Sequence, residues 1–264
     1  MSNTKSKSLG NTESSIISRV PEITLIFWII KILSTTVGET GADFLSETIG
    51  LGLLITTIIM GVALIVATVI KFKIARYTPI AYWSVVVLMS IEGTLITDYL
   101  VDELGVTLVT TFIIFSFAMI AGFIVWYKRE KTLSIHSITT AVREKYYWLI
   151  IILAFALGTA GGDLVSEKLE LGYGVALGIF GGLIAVIAYL YYTKKLSATI
   201  SFWITFILTR PLGASLGDLL TQTPENGGFG VSTVVANSVF FSVIIFLIAY
   251  LIYQQKNSDS LKIS

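Results

Sequence analysis

Eight apolar stretches alternate with short polar connections along the chain, and their limits predict helices over 22–46, 51–71, 79–101, 105–127, 146–168, 172–193, 199–221 and 229–253. Each is close to the roughly 20 residues that an α-helix needs to cross about 30 Å of hydrocarbon. The pattern therefore predicts an all-α transmembrane fold, an eight-helix bundle occupying 21–254 as a single domain. Residues 1–20 are rich in Ser, Asn, Thr and Lys and show no apolar period, which reads as a disordered cytoplasmic tail. A second short tail is expected over 255–264. The first apolar run is too long for a signal-peptide core, so Ile23 onward is expected to stay in the mature protein.

Composition agrees with the pattern. Of the 264 residues, 55% are hydrophobic and only 13% charged, with a mean hydropathy of +0.84, against about 25% charged in an ordinary soluble domain. The basic residues are distributed unevenly. Fifteen of the 18 Lys and Arg fall in the tails and in alternate connections, with only Lys168 in the opposite connections and Lys31 and Arg210 inside spans. Cytoplasmic segments retain such residues, which places both termini in the cytoplasm of a bacterial cell membrane. Cys is absent and His136 is the single histidine, excluding disulfides, thiolate metal sites, iron–sulfur clusters and a bis-histidine haem. No cofactor is expected, and nothing points to nucleic acid; the lipid bilayer is the expected partner.

The tryptophans reveal an internal repeat. The segments Trp28-IIKILSTTVGETGA-Asp43, Trp83-SVVVLMSIEGTLIT-Asp98, Trp148-LIIILAFALGTAGG-Asp163 and Trp203-ITFILTRPLGASLG-Asp218 share one element, aromatic-Trp-x9-Gly-x4-Asp. Phe27, Tyr82, Tyr147 and Phe202 supply the aromatic, and Gly38, Gly93, Gly158 and Gly213 the glycine. Each repeat (about 21–75, 76–130, 141–195 and 196–254) holds two spans. All copies therefore enter the membrane in the same direction, related by a pseudo-fourfold or pseudo-twofold axis along the bilayer normal. The odd-numbered helices would surround that axis and the even-numbered ones would face lipid. Over about 21–253 these features resemble a bacterial family of tandem-repeat integral membrane proteins, with four repeats of two transmembrane segments and a characteristic tryptophan in each. That family has no assigned activity, so the resemblance implies architecture and leaves function to the residues.

The repeat places Trp28, Trp83, Trp148 and Trp203 near one membrane interface as anchors and Asp43, Asp98, Asp163 and Asp218 about 22 Å further along, toward the non-cytoplasmic end. A carboxylate at a helix C-terminus opposes the helix dipole, and doing so four times calls for a cation, a basic partner, protonation or a helix break at the glycine. Marking the water interface is the simpler reading. Residues four apart share a helix face, and that face carries Glu39, Asp43 and Glu47, then Thr94, Asp98 and Asp102, then Thr159, Asp163 and Glu167, then Ala214, Asp218 and Gln222. Twelve of the 17 acids lie toward this end. Glu92 is deeper, and an ionisable group inside a span is a functional hypothesis by default.

Arg210, beside Pro211, is expected to pair with Glu92 or Glu39 as a gate or as structural glue. Lys31 is expected to snorkel to the cytoplasmic surface, a Schiff-base role having no further support. The stripe Gly174, Gly178 and Gly182 is read as helix packing, and His136 as a solvated loop residue.

Carboxylates with interleaved hydroxyls suit hard cations or a proton relay. The expectation is a transporter or channel for inorganic cations, foremost a divalent metal such as Mn²⁺ or Mg²⁺, which proton movement could accompany. Asp43, Asp98, Asp163 and Asp218 would be the metal ligands, Glu39 and Glu92 the deeper relay, and the four repeat glycines points of helix approach or unwinding. The alternative is a non-transporting structural or assembly protein whose polar stripe serves packing. Enzymatic function is not expected, since no nucleophile, metal triad or nucleotide-binding motif accompanies the acids.

Overall fold

The computed structural model describes residues 18–263, so most of the expected N-terminal tail lies outside the described residues. Eight long helices follow one another, with no strand among the described residues: α1 (Leu25–Asp43), α2 (Leu53–Ile74), α3 (Pro79–Asp98), α4 (Leu108–Glu130), α5 (Ala141–Asp163), α6 (Tyr173–Tyr192), α7 (Ala198–Thr221) and α8 (Thr233–Ile263). Seven of them, all but α7, are long and apolar enough to cross a membrane. The protein is an all-helical membrane protein. Helix α7 carries Arg210, Asp218 and several hydroxyls, yet packs between α1 and α5 with α6 against it, so protein surrounds its polar face.

The odd-numbered helices form a closed inner ring in the order α1, α3, α5, α7 and back to α1. Each even-numbered helix lies outside, α2 against α3, α4 against α5, α6 against α7 and α8 against α1. The layering follows from the residues. Helices α2, α4, α6 and α8 are studded with exposed Ile, Val, Leu and Phe suited to lipid, whereas the ring helices bury their repeat elements.

Two contacts, each made four times, close the ring as a pseudo-fourfold. At one level the aromatic of each repeat meets the tryptophan of the next: Phe27 with Trp83 at 5.4 Å, Tyr82 with Trp148 at 5.3 Å, Tyr147 with Trp203 at 6.0 Å, and Phe202 with Trp28 at 5.8 Å. About ten residues on, each repeat glycine touches the residue three before the glycine of the next copy. A Cβ on Gly38, Gly93, Gly158 or Gly213 would come within 2.0 Å of Ser90, 2.6 Å of Phe155, 2.5 Å of Arg210 or 2.1 Å of Thr35, respectively. Such distances are collisions, so the ring closes this tightly only because no side chain is there. The α-helices run unbroken through all four positions, which selects close approach over unwinding.

Several expectations change. The tryptophans are not interfacial anchors: Trp83, Trp148 and Trp203 are buried and Trp28 is half-buried, because each ring gains more by stacking on the neighbouring repeat than by lying among headgroups. Of the glycine stripe on α6, a Cβ at Gly174 would meet Leu219 of α7 at 4.0 Å, whereas Gly178 and Gly182 face open space; the buried residues of α6 are Tyr173, Ala176 and Phe180. Helix α8 continues to Ile263 where a tail after 254 was expected. Ser18, Arg19 and Val20, expected in the disordered tail, are ordered. Ser18 accepts from the Tyr77 backbone at 2.9 Å and the Arg19 N–H donates to Ile138 at 3.0 Å, tying the chain start to two loops. His136 is exposed in the short turn Ile135–Ser137, as a solvated residue would be.

Candidate functional site

Stepping by four along each ring helix gives the stripe that faces the pseudo-fourfold axis, and reading it by layers assembles the site. The lowest layer is Phe27, Tyr82, Tyr147 and Phe202, in which the Tyr82 and Tyr147 hydroxyls hydrogen bond at 2.5 Å. Next come Lys31, Val86, Ile151 and Phe206, then Thr35, Ser90, Phe155 and Arg210. Above them lie Glu39, Thr94, Thr159 and Ala214, and then the four aspartates. Every residue below the aspartates in this stripe is buried.

One guanidinium occupies the middle. Arg210 donates to Glu39 Oε2 at 2.6 Å, to Thr159 Oγ1 at 2.8 Å, to the Thr94 hydroxyl, and to the Thr35 carbonyl at 3.3 Å. It thus reaches one residue from each of the other three repeats in the layer above its own. The fourth place in that layer is Ala214, on its own helix, whose small side chain leaves it room. The side chain of Arg210 is 0% exposed and that of Glu39 8%, so the pair is a desolvated one, held by geometry and by the two threonine hydroxyls, while the Arg210 Nε has no partner among the described residues. Of the two acids expected as partners for Arg210, Glu39 takes the role. Glu92 does not: it lies on the face of α3 turned to α2, where its carboxylate is 3.2 Å from a Cβ built on Gly61. It follows Ile91 and precedes Gly93 on a helix whose axis-facing positions are 90 and 94, and the 3.6-residue turn carries it outward.

Lys31 corrects a second expectation. Its Nζ is not at the cytoplasmic surface but fully buried one layer below Thr35, 4.2 Å from the centre of the Phe155 ring and 4.1 Å from that of Phe206, with no hydrogen-bond partner. A cation against two aromatic faces is favourable when desolvated. The axis therefore carries two basic side chains in succession, with one acid between them and the aspartates.

Asp43, Asp98 and Asp163 end α1, α3 and α5, and each is followed by a single π-helical segment, Phe44–Thr48, Tyr99–Glu103 or Leu164–Lys168. In α7 the α-helix continues past Asp218 to Thr221. Three of the aspartates thus lie at the ends of intact α-helices and Asp218 within the last turn of one, each one turn above Glu39, Thr94, Thr159 or Ala214. Asp218 is 5% exposed and the other three are partly buried. Among the described residues their side chains make no ion pair or hydrogen bond, but they are close enough to act on one another. Asp98 interacts electrostatically with Glu39, Asp163, Asp43 and Asp102, and Asp218 with Glu39, Asp43, Asp163 and Glu167. Among the described residues no three Asp, Glu or His side chains come together closely enough to hold a metal ion directly. The four acids ring the axis without converging on a point.

Sequence reasoning missed a third cluster at the opposite end of the bundle. Glu144, at the start of α5 and fully buried, accepts from Lys71 of α2 at 2.6 Å and from Arg19 at 2.6 Å, with the Trp148 indole 3.5 Å away. Arg19 also donates to the Thr139 carbonyl at 3.3 Å. The signal available was a lone acid in the first turn of a span, where the dipole favours it, beside an excess of basic loop residues.

The polar stripe, the ring glycines and the aromatic–tryptophan pairs all recur once per two helices, and comparison with known proteins finds the same period. A family model matches the chain four times, over residues 26–77, 81–132, 146–196 and 201–257. No curated protein and no solved structure matches. The chain belongs to the family described as "Repeat of Unknown Function (DUF347)", carrying four copies of its repeat.

Proposed function

We propose that this protein moves inorganic cations across a bacterial cytoplasmic membrane, as a transporter or channel with both termini in the cytoplasm. The aspartate ring would be its external binding level and the Arg210–Glu39 pair its inner gate. One observation carries the reading: four carboxylates, equivalent by repeat and unpaired among the described residues, face one axis above a guanidinium already matched by Glu39. Partly buried acids that repel one another and have no basic partner need protons or a cation. Because no three of them converge as direct ligands, the cation is best held through its waters. That favours Mg²⁺, which gives up its hydration shell reluctantly, over a fully stripped Mn²⁺. Proton movement fits the same ring, since each carboxylate is free to carry a proton when the ion leaves. Lys31 and Arg210 lie across the inward path, so passage requires that Arg210 leave the axis. Glu92, turned toward α2, has no part in it.

The experiment is thermal unfolding of the detergent-purified protein against Mg²⁺, Mn²⁺, Ca²⁺, Na⁺ and pH, in wild type and Asp98→Asn, followed by flux in liposomes. A ligand that binds only the native state raises the melting temperature. A selective rise that the variant loses supports the reading. Unchanged flux after all four aspartates become Asn refutes it. Interhelical bonds such as Thr97 to the Ala156 carbonyl at 3.1 Å and Thr40 to Asn237 at 2.9 Å favour a second reading, a packing protein without transport. It expects the Asn variants to lose stability with no ion response.

A further inference from the structure

The pseudo-fourfold ring is uneven at its aspartate end, and the unevenness makes a cavity. In the first three repeats the acid at the end of the ring helix leads into a π-helical segment that carries a second acid, Glu47, Asp102 or Glu167. In the fourth, Gln222 stands in that place, and the chain folds back through the turn Pro224–Asn226, with Phe229 and Val231 donating to Leu219 and Leu220 at 2.8 Å each. Between the third and fourth repeats this leaves a polar cavity of about 390 Å³ lined by Ser166, Glu167, Gly172, Tyr173, Gln222 and Asn226.

We infer that this cavity is an entry site for a hydrated divalent cation, the first stop before the aspartate ring; the inference rests on the cation reading above. Size and lining agree. Six waters at about 30 Å³ each occupy about 180 Å³, so an ion with its full inner shell fits. The lining offers a carboxylate, hydroxyls and two side-chain amides, with the Tyr173 hydroxyl donating to Glu167 at 3.1 Å. These groups accept hydrogen bonds from bound water and do not strip it. Tyr173, in the lining, also interacts electrostatically with Asp218 and Asp163. Asp218 is nine-tenths buried, and among the described residues its side chain makes no hydrogen bond or ion pair. Lys168, the nearest basic residue in sequence, is exposed and does not line the cavity. An anion finds no positive group in the lining.

The absence of cysteine from the chain makes the test direct. Ser166→Cys and Gln222→Cys place a thiol in the cavity. Ser46→Cys places one at the position equivalent to Ser166 in the first repeat, where the serine is as buried and likewise donates to the carbonyl four residues back, at 2.8 Å against 2.9 Å. In liposomes a membrane-impermeant cationic thiosulfonate should modify the first two about tenfold faster than the third; Ser46 is no less exposed than Ser166, so the difference would come from the cavity concentrating the cationic reagent. Mg²⁺ and hexaamminecobalt(III), which cannot shed its ligands, should each slow that modification severalfold relative to Na⁺ at equal ionic strength. Equal rates at the three positions overturn the inference, and so do rates indifferent to both cations. Should Ser166→Cys fail to fold, the half-exposed Gln222→Cys decides alone. Protection without flux keeps the site and removes the transport reading, whereas flux without protection does the reverse.

Discussion

Arg210 and Glu39, 171 positions apart in sequence, meet at 2.6 Å on the axis of the bundle and are the charge pair around which its centre is arranged. Removing one partner leaves the other buried and uncompensated, at a cost of about 3–5 kcal/mol. Glu39→Gln should therefore lower thermal stability sharply. Glu39→Gln combined with Arg210→Met should recover much of the loss, because an apolar pair needs no partner. A double variant as unstable as the sum of both singles would mean that the pair is not the coupled unit described.

Gly93 has no room for a methyl group, with Phe155 and the Ala156 backbone nitrogen 2.6 and 3.1 Å from where its Cβ would be, whereas Gly178 has nothing within 4 Å. Gly93→Ala should cost about 1–3 kcal/mol by forcing α3 from α5. Gly178→Ala should be neutral or stabilise by up to about 1 kcal/mol, as for an exposed helical glycine. Melting temperatures of the two variants side by side check this. Similar values would contradict the ring geometry.

A gain is expected at Glu170. It has φ 56°, in the left-handed region, at the place where the first two repeats have Gly50 at 80° and Gly105 at 67°. A side chain there costs about 1 kcal/mol, so Glu170→Gly should raise the melting temperature. A fall would show that the Glu170 side chain contributes more than its backbone costs.

Tyr77 lies in the connection between α2 and α3, and its burial pushes the phenol up from 10.0 to about 12. Below pH 10 the phenol is neutral in both folded and unfolded chains and contributes nothing. As pH rises from 10 toward 12 the unfolded chain ionises first, so stability falls across that window. Tyr77→Phe should flatten that part of the stability curve relative to wild type, and unfolding measured between pH 9 and 12 tests it. An identical alkaline slope in both proteins would place the loss elsewhere.

The ring was legible in the sequence because its parts recur. The spacing of tryptophan, glycine and aspartate requires equivalent helices, and a four-residue step from each aspartate lands on the residues that Arg210 binds, Thr94 and Thr159 as well as Glu39. What occurs once was harder to place. Lys31 had no repeat counterpart to show which way it faced, and its position near Trp28 suggested the surface. The structure buries it because the same four-residue step, carried down from Glu39 through Thr35, puts it on the axis facing Phe155 and Phe206. The tryptophans were misread for a related reason. Hydropathy separates lipid interface from water but does not distinguish it from the boundary between two repeats, and an aromatic residue beside each tryptophan was the available sign of stacking. Arg19 and Glu144 lie 125 residues apart with no motif around them, and only the folded loops bring them together.

The Arg210 site also bears on why the four repeats are joined in one chain. A two-helix unit that closes into a ring by touching its next copy could do so as four separate subunits. In such an assembly any residue at the position of Arg210 would occur four times, and four guanidiniums would crowd an axis that has space for one. Covalent fusion removes that constraint. It allows a single arginine, a single glutamate, two threonines and an alanine to share a level that symmetry would have made uniform. The centre of the molecule is therefore one that a homotetramer of this repeat could not build.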